Sequence, residues 1–175
     1  MKAVFPILLV LLIRVSAMAQ EPVGESAPAG SNSLAEVRHM ESALLVVFKS
    51  RVIDVTDRER AIIQDVLKAD PKPTGRYRWV YSQMAQKLNK YIRKYKSLYA
   101  AKTLSDADYV IYFNVVEFRR ILYSYYPYGE LFVIVKGSPE TLKSPRVIWR
   151  TKKMSVAEDA IGDLIKDLKI LRGES

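Results

Sequence analysis

The carboxylates come first, because they are the only side chains here with the spacing of known catalytic or metal-binding pairs. Asp106-Ala107-Asp108 has the Asp-x-Asp spacing with which two carboxylates can share a divalent cation. It precedes an apolar run instead of ending one, and Asp at a strand entrance is also a common turn residue. Glu117 and Glu130 flank a hairpin, and two facing carboxylates can hydrolyse a glycoside, one as acid and one as base or nucleophile. The other chemistries fail on inventory. The 175 residues include no Cys and one His, His39, which has no partner cluster and reads as a surface residue. Disulfides, thiolate metal sites and a cysteine nucleophile are thereby excluded. No Gly-x-Ser-x-Gly elbow, Ser-x-x-Lys dyad, phosphate loop or His-Glu-x-x-His occurs. No cofactor is expected.

Two other segments are suited to recognition. Tyr123, Tyr125, Tyr126 and Tyr128 fall within six residues, just after Arg119 and Arg120. Tyrosine offers a rigid face and a hydroxyl at little entropic cost, so a tyrosine-rich loop suits partner or glycan binding. The plainer alternative is that alternate tyrosines extend a strand pair. The second segment spans residues 71–105, with nine Lys and Arg and no Asp or Glu. Lys87, Lys90 and Lys94 lie on its polar side and could meet an anionic partner. The plainer alternative is a solvated face of an ordinary amphipathic helix.

The elements that carry these residues follow from periodicity. Ala43–Phe48 is a continuous apolar, β-branched run, as in a strand covered on both faces. A helix follows, with Ile62, Ile63, Val66 and Leu67 on one side, ended by Asp70-Pro71-Lys72-Pro73. Tyr81, Met84, Leu88, Tyr91, Tyr95 and Leu98 alternate steps of three and four, predicting a long helix over Trp79–Ala101. Tyr109–Phe118, Leu131–Lys136 and Arg146–Arg150 read as strands. Their connections, including Arg119–Glu130, are too short for crossover helices, so the three form an antiparallel meander. Ser155-Val156-Ala157-Glu158 has capping-box spacing and opens a last helix that Gly173 ends. The expected fold is an α+β or α/β two-layer sandwich of about four strands, in the order β-α-α-β-β-β-α.

The N-terminus predicts export. Lys2, the apolar run Phe5–Ile13 and Ala17-Met18-Ala19 form a signal peptide of residues 1–19, cleaved after Ala19. Its run of about nine residues is far below the roughly 20 that span a bilayer. Residues 20–32, rich in Pro, Gly, Ser and Ala, read as a flexible linker, and residues 33–175 as one globular domain. The formal net charge is +9, and an exported basic domain meets acidic lipids, glycans or proteins before it meets nucleic acid.

Leu104-Ser105-Asp106-Ala107-Asp108-Tyr109-Val110-Ile111, behind a long amphipathic helix, resembles exported bacterial domains of the TolB amino-terminal, CsgG and LpoB type. The resemblance covers about residues 43–118. It implies an α/β module that serves envelope assembly or secretion by binding other proteins. The function expected is a non-catalytic binding or assembly module of the bacterial envelope, periplasmic or secreted. Its partner would be an envelope protein or anionic envelope component, not nucleic acid, and no span would remain after cleavage. The alternatives are a small envelope hydrolase using a carboxylate pair, or a structural subunit of a homo-oligomer.

Overall fold

The computed structural model describes residues 34–50, 58–68, 73–137 and 144–175. The expected signal peptide (residues 1–19), the expected linker (residues 20–32), the Asp70-Pro71-Lys72 helix end and most of the 137–145 connection lie outside these described residues. After a 3₁₀ turn at Leu34–His39 come β1 (Ser42–Phe48), α1 (Arg58–Lys68) and α2 (Arg76–Tyr95). Then follow β2 (Tyr99–Ala100), β3 (Tyr109–Ile121), β4 (Ser124–Val135), β5 (Arg146–Arg150), β6 (Ser155–Val156) and α3 (Ala157–Arg172).

The strands form one mixed sheet in the order β2-β1-β3-β4-β5, with β6 pairing β4. β1 runs parallel to β2 and β3, while β3, β4 and β5 form the antiparallel meander. Alternate residues of β1 enter opposite cores, as the two-residue period of a strand requires. Ala43, Leu45 and Val47 join the buried stripes of α2 and α3, including Met84, Leu88, Ile161 and Leu164. Leu44 and Val46 join Ile62, Ile63 and Val66 of α1, together with Tyr112 and Phe132. Helices therefore cover both faces. The class is α+β, but the expected two-layer sandwich of about four strands is a three-layer molecule with six strands. Two short strands are inserted in the expected order. Each has two residues, too few to leave a periodic signal.

Helix ends also depart from expectation. α2 stops at Tyr95, with Lys96 left-handed (φ 55°) and its amide donating to the Ile92 carbonyl at 2.9 Å. Nothing in residues 96–101 breaks a helix by composition. The segment is captured by β1 instead: Tyr99 N–H donates to Glu41 O at 2.7 Å and Ala101 N–H to Ala43 O at 2.9 Å. Tyr99, inside the helix predicted over Trp79–Ala101, instead stands in β2 and is 54% exposed. The capping box of α3 does not form, because Ser155 is taken into β6 opposite Gly129 and the cap residue is Val156. Gly173 does end the helix, at φ 69°. No helix among the described residues is long and apolar enough to cross a membrane.

Candidate functional site

β3 and β4 are much longer than their neighbours, and this builds the most unusual surface of the molecule. β1 pairs β3 only as far as Asn114, and β5 pairs β4 only as far as Phe132. Beyond that point the β3–β4 ladder continues to Ile121 and Ser124, closed by the two-residue turn Leu122-Tyr123. β6 supports one edge at Tyr128 and Gly129. The expected connection Arg119–Glu130 is therefore no loop. It is a two-stranded arm projecting from the sheet, and three of the four tyrosines stand in β4.

The root of the arm is a β-bulge. Val115 pairs Gly129 and Glu117 pairs Tyr128, leaving Val116 as the extra residue. A bulge bends and twists the strand pair, which here marks where the sheet ends. Gly129 makes this approach feasible: a Cβ there would lie 2.0 Å from the Asn114 carbonyl oxygen. On the α2 side, Phe118 packs against Tyr77, their ring centres 6.2 Å apart, under the Arg76 guanidinium at 5.1 Å. α2 thus buttresses the arm's base.

Toward the tip, cover is lost. Ile121, Tyr125 and Tyr126 are exposed, Leu122 is 83% exposed and Tyr123 is 92% exposed. Register divides the predicted residues between two faces. Arg119 pairs Tyr126 on one face, with Tyr128 next along it, and Arg120 pairs Tyr125 on the other. The Arg119 guanidinium lies 4.3 Å from the centre of the Tyr128 ring and pairs with Glu117. The Arg120 Nε–H donates to the Leu122 carbonyl at 3.1 Å, bracing the turn. The two arginines thus stiffen the arm, while its apolar tip carries the unsatisfied surface. Ile121 and Leu122 were missed in sequence. Their signal is the alternation on both sides of the two-residue turn.

Leu122 adopts φ 56°, a left-handed conformation that glycine or asparagine normally takes at such turns. For an L-residue with a Cβ this costs about 1–2 kcal/mol. The chain thus places a large apolar residue on a strained turn where it packs against almost nothing.

The basic helix face does not join the arm, and two of its three lysines are engaged internally. Lys87 Nζ donates to the Glu158 carbonyl at 2.9 Å and lies 4.0 Å from its carboxylate, tying α2 to α3. Lys94 lies 4.7 Å over the Tyr95 ring and reaches the Ser175 carbonyl. Lys169, and then Lys94, hold the Tyr95 hydroxyl below the ordinary phenol pKa. Lys90 is exposed on α2.

The carboxylate candidates are likewise in use. Asp108 Oδ2 accepts the amides of Glu41 and Ser42, each at 2.9 Å, locking β3 to the entrance of β1. Burial opposes its ionisation, but the Ser42 and Glu41 bonds and nearby Lys136 outweigh it and lower its pKa. Asp106 is held by Thr103. Glu117 pairs with Arg119, and Glu130 with Arg58 of α1. His39 is exposed. Comparison of the chain with protein-family models, curated proteins and solved structures finds no match.

Proposed function

We propose that this protein is a non-catalytic binding or assembly module of the bacterial cell envelope, exported by residues 1–19, and that the β3–β4 arm is its contact element. The supporting observation is the arm's tip: Leu122 at φ 56° and 83% exposed, followed by Tyr123 at 92% exposed. Backbone strain together with apolar exposure opposes stability, and such features are retained at sites that work on another molecule. Aromatic anchors on a stiff hairpin lose little entropy on binding. Strand edges of the arm that have no pairing partner among the described residues add main-chain donors and acceptors for a partner protein.

The test is crosslinking in the native envelope, with Tyr123 replaced by a photoreactive phenylalanine analogue. A discrete heteromeric adduct is expected at position 123, and none when the analogue stands at exposed Gln64 of α1. In pull-downs with that partner, the Leu122→Asn/Tyr123→Ser/Tyr125→Ser variant should recover at least tenfold less with unchanged circular dichroism. Undiminished recovery would refute the reading, and adducts consisting only of a second copy would replace it with a homo-oligomer subunit. Mature protein from the same envelope should begin at Gln20.

A further inference from the structure

The flank of the molecule carries a second feature, independent of the arm. A cleft of about 790 Å³ opens between the end of β5, the connection to β6 and the outer side of α3. That volume lies in the range of small-ligand sites, roughly 300–1,000 Å³. Leu34, Trp149, Leu171 and Ile170 supply its apolar lining. Leu34 and Trp149 are buried, whereas Ile170 is 72% exposed, an apolar side chain in solvent beside an apolar floor. The Trp149 ring is fixed by its indole N–H, which donates to Asp167 Oδ2 at 2.9 Å.

The rim is cationic. Arg150 arrives from the end of β5, Lys152 and Lys153 from the β5–β6 connection and Lys166 from α3, against Asp163 and the already engaged Asp167. Ser155 also lines the cleft, and its hydroxyl is buried with no hydrogen-bond partner among the described residues. An apolar floor under four cations matches a ligand with an apolar body and an anionic head. The same charge disfavours docking of a second copy's arm, whose Arg119 and Arg120 would face these cations.

We infer that the cleft formed by Trp149, Lys152, Lys153, Lys166 and Ile170 binds a small amphipathic anion, an aromatic or aliphatic body bearing a carboxylate or phosphate. The experiment uses the mature chain with Trp79→Phe, so that Trp149 is the sole tryptophan. The probe is anilinonaphthalene sulfonate, which accepts energy from tryptophan. Saturable transfer from Trp149 is expected, displaced by octanoate or octyl phosphate and at least tenfold less effectively by octanol. The better of the two anions identifies the head group. Lys152→Glu/Lys153→Glu should weaken the probe at least tenfold, while Tyr125→Ser should leave it unchanged, so this test and that of the arm fail separately. Unsaturable transfer, affinity unaltered by the double charge reversal, or equal displacement by octanol would each overturn the inference. Lys166→Glu, on a different element, repeats the test should the double variant lose its circular dichroism.

Discussion

β3 and β4 are two different materials along one pair of strands. From Tyr109 to Val115 every side chain of β3 is buried, and from Leu131 to Val135 the same holds for β4. Past the Val116 bulge the same ladder continues, yet from Arg119 to Tyr126 every residue is exposed. Tyrosine and branched residues occur in both halves, and the outer one adds Arg119 and Arg120, yet its apolar Ile121, Leu122 and Tyr123 are bare as well. The difference is in the neighbours. β1, β5 and the helices flank the inner half, whereas among the described residues α2 and the two residues of β6 buttress the root of the outer one. Hydrogen bonding between two strands is marginal without a covered face. The outer half therefore depends on continuity with the inner one, and its apolar surface stays available.

The contrast can be broken most directly at its boundary. Gly129→Ala would drive a methyl into the Asn114 carbonyl, and a loss of about 3 kcal/mol in urea unfolding is expected. A loss below about 1 kcal/mol would mean that the strands part freely there and that the boundary is soft. Next come two tyrosines of the inner half, both with hydroxyls pushed up in pKa by burial. Tyr109 Oη has no hydrogen-bond partner among the described residues, whereas Tyr112 Oη bonds Asn114 Oδ1 at 3.2 Å. Tyr109→Phe should gain about 1 kcal/mol and Tyr112→Phe should lose about as much. Equal effects in the same melts would contradict that assignment. The smallest effect belongs to the tip. Leu122→Gly relieves the left-handed strain but frees the unfolded chain, for a net gain of about 0.5 kcal/mol. A loss beyond about 1 kcal/mol would show that the Leu122 side chain packs on the arm, which would then not be free.

Much of this was legible in advance where the signal is local. The buried side of α3, the run Ala43–Phe48 and the inner parts of β3 and β4 follow from periodicity, because each side chain's fate is set by its own element's geometry. The tyrosines and Arg119 and Arg120 stood out by density, with a recognition loop and an extended strand pair as the two readings, and the ladder follows the strand pair. The loop reading failed because strand alternation in Arg119–Tyr128 is interrupted by Leu122-Tyr123, and a non-glycine two-residue turn carries no recognisable signature. The lysines were placed on the correct side of α2, yet nothing local says that Lys87 meets Glu158, 71 residues away. The flank cleft was invisible for the same reason, since its lining comes from Leu34, the 149–155 segment and α3.

The amino-acid order on its own determined which residues must leave water, and with what period, because helix and strand geometry are properties of neighbouring residues. Tertiary structure alone decided where α2 ends, how many layers cover the sheet, which cations are already engaged and how far β3 and β4 outrun their neighbours. Those outcomes depend on competition between hydrogen-bond and packing partners distant in sequence, as when β1 captures Tyr99 and Ala100 from the end of a helix. Exposure of the arm is the clearest case: Tyr123 is bare because no other strand among the described residues reaches it, and that is set by elements distant in sequence.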